Sequence, residues 1–196
     1  MRLCAILLAA GASTRMRGVD KLTKPLRGQP LLRDRVMMLT QSQVSRVLVV
    51  VPTEAPARRE ALAGLDVQTV LNADAASGMA SSIKAGIRAV PPDCDAALIM
   101  PADMPDIEAT DIDALCAAFI KNPGQILRAA AGETPGSPVI FPRAHFKDLL
   151  RLDGDQSGRA VLKTASNVIL HPLKGDRATF DLDTPEAWAL WHQRQN

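Results

Sequence analysis

At 196 residues, 47% apolar and 22% charged, the chain has the size and composition of one soluble globular domain with a substantial core. A net charge of +2 excludes a general nucleic-acid binder, 3% aromatics with no Tyr remove the stacking platforms of single-strand binders, and no stretch nears the roughly 18 apolar residues of a membrane span. Three cysteines, Cys4, Cys94 and Cys116, with no C-x-x-C or Cys/His pairing, fit a reduced cytoplasm and argue against a disulfide framework or a zinc site.

The first apolar run, residues 3–8, is read as a strand buried on both faces and not as a signal peptide, because a loop of small and basic residues follows at once. Residues 30–40 have helical spacing, with Leu32, Val36 and Leu39 on one face. Residues 47–51 form a second buried strand stopped by Pro52, 55–63 a helix and 67–71 a third strand. A helix over 79–89 ends at Pro91-Pro92, and 96–100 is a fourth strand. The helix over 110–121 is predicted to carry a capping box of Thr110 and Asp113. Residues 126–130 and 139–141 are shorter strands, 144–150 and 158–164 helices, 168–170 extended, and 185–195 a closing helix with Pro at its first position. This alternation predicts an α/β fold in one domain over 1–196, a mainly parallel sheet with helices on both faces. Ligands of such sheets bind beyond the carboxyl ends of the strands, where loops 9–27 and 101–105 lie.

Residues 7–27 read LLAAGASTRMRGVDKLTKPLR. From Arg15 to Arg27, five basic side chains face one acid, Asp20, a local charge of +4 that leaves −2 for the rest of the chain. The G-x-G-x-x-G fingerprint fails at Ser13 and Met16, and the P-loop fails because Met16 stands where its second glycine belongs. What remains is a turn of small residues, 9–13, whose bare backbone admits a nucleotide, followed by arginine and lysine that grip phosphate. A solvated basic loop is the plain alternative.

The stretch LLAAGASTRMRGVDKLTKPLRGQPLL resembles the nucleotidyltransferase signature L-A-A-G-x-S-x-R-M-G, Lys, Gly-x-Pro-Leu, most closely that of the molybdenum cofactor nucleotidyltransferases. SGMASSIKAGI, ALIMPADMP, GSPVIFPRAHFKDLL, GDQSGRAVL and FDLDTPEAW have counterparts in the same order, so the likeness spans the chain. One departure is Arg17, inserted before Gly18 where many relatives read Met-Gly. The resemblance implies a Rossmann-like nucleotidyltransferase fold and a triphosphate bound by Leu8, Ala9, Ala10, Gly11, Ser13, Arg15 and Lys21. Gly78, Ser81 and Ser82, on a small-residue helix start, would lie near the base or ribose; an ordinary helix start is the alternative.

Asp103, directly after a buried strand, is the position where the resemblance places a magnesium ligand. Asp111 and Asp113 are read as helix N-terminal residues and Asp106 and Glu108 as surface. Magnesium takes few carboxylates plus phosphate oxygens and water, so a second acid is expected. It comes from Asp181-Leu182-Asp183-Thr184-Pro185, whose two acids are expected to turn to opposite sides, with Asp183 on the metal side and Asp181 second. Helix capping by Asp183 or Thr184 is an alternative or additional role. His145, His171 and His192 show no ligand spacing, and Trp188 and Trp191 form a packing face. Ser137, where many relatives carry His or Asn, and Arg159 are candidate acceptor contacts, with Arg143 and Lys163 as further phosphate candidates.

The resemblance thus implies a cytoplasmic, Mg2+-dependent enzyme that transfers CMP from CTP to the terminal phosphate of molybdopterin and releases pyrophosphate. Arg15, Lys21 and Asp103 would be catalytic, and molybdoenzyme maturation factors would be partners, with no nucleic acid and no membrane. Guanylyl transfer from GTP, another phosphorylated acceptor and a non-catalytic nucleotide-binding module stand as alternatives. Ala10, where relatives that use GTP tend to have glycine, favours cytosine.

Overall fold

Strand β1 (Leu3–Leu8) explains the architecture in six residues, because its side chains alternate between two cores. Leu3, Ala5 and Leu7 enter one hydrophobic cluster, while Cys4 and Ile6 enter the other. A strand buried on both faces must be covered on both, and the rest of the chain does so. The computed structural model describes residues 1–195.

After β1 come a 3-10 turn (Thr14–Met16), a hairpin of β2 (Pro25–Leu26) and β3 (Gln29–Pro30), and α1 (Leu31–Thr40). Arg27 and Gly28 have φ of 49° and 84°, both left-handed, as a tight two-residue hairpin turn demands. There follow β4 (Arg46–Pro52), α2 (Pro56–Ala61), β5 (Gln68–Asn72), α3 (Met79–Ala89), β6 (Ala96–Pro101) and α4 (Ala109–Lys121). The last third holds β7 (Ile126–Ala131), β8 (Thr134–Pro142), α5 (Phe146–Leu149), α6 (Arg159–Thr164), β9 (Val168–Leu173) and α7 (Pro185–Gln195).

The seven-stranded sheet has the order β5-β4-β1-β6-β8-β7-β9. Only β8 runs against the others; β1 pairs in parallel with β4 on one side and β6 on the other. Chain order therefore reverses at β1, which places a crevice at the carboxyl ends of β1 and β6. Helices α1, α4 and α7 cover one face through Leu32, Val36, Ile112, Leu115, Trp188 and Trp191. Helices α3, α5 and α6 cover the other through Ile83, Ile87, Phe146, Leu149 and Val161.

Four sequence readings change. The strand expected over 139–141 extends to nine residues, Thr134–Pro142, its start hidden by Pro135 and Gly136. The helix expected over 144–150 divides into a 3-10 turn, Arg143–His145, and the short α5. Helix α4 begins at Ala109, so its cap is Glu108, whose N–H donates to Asp111 Oδ2 at 2.9 Å. Asp113 instead accepts the Gln43 N–H at 2.7 Å. Asp106 is not a surface residue: it accepts the Trp191 indole N–H at 2.8 Å. The three cysteines are free, with Cys4 Sγ and Cys94 Sγ 2.9 Å apart in the core. Among the described residues, no helix is long and apolar enough to cross a membrane.

Candidate functional site

The loop after β1 keeps its shape through a residue far away in sequence. Arg58 of α2 is 5% exposed, and its guanidinium donates to the carbonyls of Ala9 (2.6 Å) and Gly11 (2.8 Å) and to Asp20 (2.7 and 2.9 Å). Asp20 Oδ1 also accepts the Leu22 N–H at 3.0 Å and the Ser13 hydroxyl at 3.3 Å. A buried guanidinium needs such partners, and here it ties both ends of a turn that has few side chains of its own. Ser13, Arg17 and Gly18 take left-handed φ of 52°, 53° and 88°, so the extra Arg17 is absorbed as one step of a coiled turn.

Of the loop's five basic side chains, two reach the crevice. Lys24 lies 4.3 Å over the Trp188 ring and Arg27 5.1 Å over Trp191, while Arg17 pairs with Glu186 at 3.1 Å on the surface. Lys21 and Arg15 instead meet the carboxylates. The Lys21 ammonium donates to Asp103 Oδ2 at 2.5 Å and to Asp183 Oδ1, and Arg15 donates to Asp183 Oδ2. Asp103 Oδ1 is buried and has no hydrogen-bond partner.

Burial disfavours the Lys21 ammonium, but Asp103 and Asp183 together outweigh it and hold its pKa above the ordinary lysine value. Asp103 is held above the ordinary carboxylate value, first by burial and also by the Asp183 charge, against the pull of Lys21. Asp183 goes the other way, since hydrogen bonds and charge from Lys21 and Arg15 exceed its burial. Asp181 is raised by burial and then by its neighbours Asp103 and Asp183. The site is thus an acidic group holding one ammonium, with uncompensated negative character at Asp103 and Asp181.

The expectation that Asp181 and Asp183 turn to opposite sides is corrected. In extended chain residues i and i+2 share a side. Leu182, fully buried, takes the other side, and its N–H donates to the Asp103 carbonyl at 2.9 Å, docking the segment on the end of β6. Both acids line one cavity. Thr184 Oγ1 accepts the Ala187 N–H at 3.1 Å and caps α7, so capping and site roles fall on different residues.

Two cavities meet at this cluster. The first, about 390 Å³, is lined by Leu8, Ala10, Gly11, Ser13, Arg15, Lys21, Gly78, Ser82, Asp103 and Asp183. The second, about 410 Å³, is lined by Leu8, Asp103, Ser137, Arg159, Asp181 and Asp183, with Arg128 and Phe141. Leu8, Met79, Asp103, Asp155 and Asp183 belong to both. Gly78 is required where it is: its φ is +106°, and a Cβ would stand 2.4 Å from the Gly154 carbonyl oxygen.

Some expected residues lie elsewhere. Ala9 points into the core, with its backbone bonded to Val50 and Arg58. Ser81 is buried behind the first cavity, donating to the Gly78 carbonyl and accepting from Asn72 at 2.9 Å. Arg143 is corrected: it donates to the carbonyls of Cys94 and Pro91, before the start of β6 and so at the opposite end of that strand from the cavities. Lys163 lines neither cavity. Sequence reasoning missed Arg58, Asn72, Asp155 and Arg128. Only Arg128 carried a signal, a charge inside an apolar strand pattern. Among the described residues, no three His, Cys, Asp or Glu side chains converge as a ready metal cage.

Comparison with known proteins places this geometry. The model of the MobA-like NTP transferase domain matches residues 5–168. The purine catabolism protein PucB of Bacillus subtilis is 28% identical over 200 residues, 96% of this chain and 95% of PucB. The crystal structure of Rv0371c from Mycobacterium tuberculosis superposes with a TM-score of 0.85 at 22% identity, covering 97% of this chain and 96% of that one. A structure of Rv0371c is a manganese complex, with a TM-score of 0.79 at 19% identity, covering 97% of each chain. Molybdopterin-guanine dinucleotide biosynthesis protein A from Archaeoglobus fulgidus gives 0.74 at 17% identity over 98% of both chains. These likenesses in structure fix the fold as that of the nucleotidyltransferases.

Proposed function

The chain belongs to the family of MobA-like NTP transferase domains, and from that premise we propose that it transfers CMP from CTP to the terminal phosphate of molybdopterin, releasing pyrophosphate. Nucleotidyl transfer as such is the chemistry of the family. The observation that carries the reading is the meeting of two cavities at Asp103, Lys21 and Asp183. One substrate on each side would bring an acceptor oxygen and an α-phosphorus together at a single charged junction. We assign the triphosphate to the first cavity, on the bare backbone of Ala10 and Gly11, and the acceptor to the second, beside Ser137 and Arg159.

A phosphomonoester is largely ionised near pH 7, so the attacking oxygen needs no general base. The protein's part is positioning and charge neutralisation. Lys21 and Arg15 stabilise charge gathering on the leaving pyrophosphate. The donor set fits a divalent cation: Asp103 Oδ1 is buried and unpartnered, and Asp183 is held ionised beside it. Asp103 and Asp183 would hold magnesium, which when bound would neutralise the triphosphate and polarise the phosphorus under attack. The manganese complex of Rv0371c is a precedent for a divalent ion on this fold.

The base is read as cytosine because Ala10 lines the first cavity at the position where relatives that use GTP tend to have glycine, and a methyl there would leave less room beside the base. The Archaeoglobus relative's name points to guanine, the competing assignment. Incubation with each triphosphate, magnesium and molybdopterin, followed by mass analysis, tests the reading. It predicts the cytosine dinucleotide with matching pyrophosphate. A guanine dinucleotide would replace only the base, whereas no product from any triphosphate would leave a non-catalytic binding module. The same chemistry fits a cytoplasmic protein that hands its product to a molybdoenzyme or its maturation factor.

A further inference from the structure

The second cavity holds a pair of cations, Arg128 and Arg159, and the reading above gives a role to Arg159 alone. Arg128 is a half-buried guanidinium in β7, an otherwise apolar strand (ILRAAA), and Arg159 opens α6 across the cavity. Register between β7 and β8 shifts between Arg128 and Ala130, an irregularity of the kind that re-aims a side chain. Arg128 Nε donates to the Gly136 carbonyl at 2.9 Å and Nη2 to the Pro135 carbonyl at 3.3 Å. Two of its five donors are thus spent on neutral oxygens, which aim the group and leave its charge and its Nη1 edge free. The start of β8 that aims it is packed closely in its turn, since a Cβ on Gly136 would lie 1.9 Å from the Ala178 carbonyl oxygen.

Among the described residues, neither Arg128 nor Arg159 makes an ion pair, whereas the buried Arg35 and Arg58 each bond a carboxylate. Burial first, and then the neighbouring positive charge of Arg159, hold the Arg128 guanidinium below its usual pKa, so the two cations act on one another. Two like charges kept together without a counter-charge favour an anion between them. The cavity's four acids, Asp103, Asp155, Asp181 and Asp183, lie toward the junction with the first cavity. Ile99, Val139, Phe141 and Leu162 give the cavity an apolar stretch of wall beside the hydroxyls of Ser137, Ser157 and Thr179.

We propose that Arg128 and Arg159 form a paired-guanidinium site that takes the acceptor's phosphate as a dianion, with the acceptor's organic body against Val139, Phe141 and Leu162. The proposal rests on the nucleotidyl-transfer reading of the adjoining carboxylates. It adds Arg128 to the acceptor contacts and makes the site selective for a phosphomonoester over a singly charged ester of the same shape.

Calorimetric titration of the full chain with phenyl phosphate and with phenyl sulfate tests it, with CTP titrated in parallel. Phenyl phosphate should bind at least roughly tenfold more tightly than phenyl sulfate, the scale of one hydrogen bond to a charged group. Arg128→Gln and Arg159→Gln should each weaken phenyl phosphate by about that factor and leave CTP binding within about twofold. Arg159 is exposed and its side chain holds no protein group in place, so its variant folds whatever Arg128→Gln does to the start of β8. Equal binding of the two esters, no saturable phenyl phosphate binding, or an unchanged affinity in Arg159→Gln would overturn the proposal. Failure of the nucleotidyl-transfer reading shows separately, as absent CTP-dependent pyrophosphate release while the arginine-dependent anion binding persists, a result that supports the site itself.

Discussion

Two buried ionic clusters lie on the same side of the sheet's end and differ in one respect. Arg35 of α1 is 3% exposed; it bonds Asp34 through Nε and Nη2 and the carbonyls of Met104 and Ile107 through Nη1, at 3.1 and 2.6 Å. Its polar groups are satisfied, and it straps α1 to the turn after β6. The Lys21, Asp103 and Asp183 cluster is similarly enclosed, yet Asp103 Oδ1 has no partner. A buried acceptor left open destabilises by about 1–3 kcal/mol. Folding does not require it, so the difference separates a cluster that holds the chain from one arranged for something that binds.

The sharpest way to break that contrast is Arg35→Met. Removing one member of a buried pair should lower stability by about 3–5 kcal/mol in denaturant melts, with turnover per folded molecule nearly unchanged. A loss of turnover without loss of stability would make the two clusters alike. Asp103→Ala should do the reverse: stability holds or rises, while turnover falls roughly 10²–10³-fold, as for one preorganised electrostatic contact of about 2.7–4 kcal/mol. Turnover within a factor of a few of the parent would remove Asp103 from the chemistry.

Lys21→Ala sharpens the comparison inside the basic loop. It should weaken triphosphate binding and slow turnover by roughly tenfold or more, while Lys24→Ala, whose ammonium lies over Trp188, has little effect on pyrophosphate release. Equal effects would mean that the loop acts as diffuse charge. Asp183→Asn should be milder than Asp183→Ala, because an amide oxygen still ligates magnesium. Its stability effect should also depend on pH. The ionised Asp183 is stabilised in the fold, so its contribution is present above the usual carboxylate value of 3.8 and fades as pH falls below it. The melting gap between parent and Asp183→Asn should therefore close on acidification; a gap that widens would contradict the assigned direction. The smallest effect is expected from Ala10→Gly, a relaxation of CTP over GTP preference in kcat/KM of at most about tenfold, since apolar crowding discriminates weakly.

Local pattern carried most of the fold. Buried runs such as LCAILL and VLVVV, and Pro at the first position of α7, announce their elements through periodicity alone. The first half of strand β8 escaped because its opening residues, Thr134 to Pro138, contain two prolines and a glycine, which read as a turn. At the candidate site, what the sequence let one read is position: Arg15 and Lys21 fall in the small-residue loop after β1, and Asp103 falls just after the buried run of β6. Arg58 was not legible, because its partners Ala9, Gly11 and Asp20 are at least 38 residues away in sequence and nothing local marks it. Lys24 and Arg27 contributed to the loop's local charge of +4 without being assigned to the site; only tertiary packing shows them resting on the tryptophans of α7. The side taken by Asp181 was misread: the two-residue period of extended chain puts it with Asp183, and Leu182 is the residue that turns inward.

The central claim is that the two cavities serve one transfer across the carboxylate junction. It is tested most directly by a single-turnover reaction with CTP labelled in its α-phosphate, magnesium and molybdopterin. Label should move into the acceptor product with one pyrophosphate released per label transferred, and Asp103→Ala should bind CTP but transfer label roughly 10²–10³-fold more slowly. Pyrophosphate release that proceeds without an acceptor, or label that stays in CTP while both substrates bind, would contradict it.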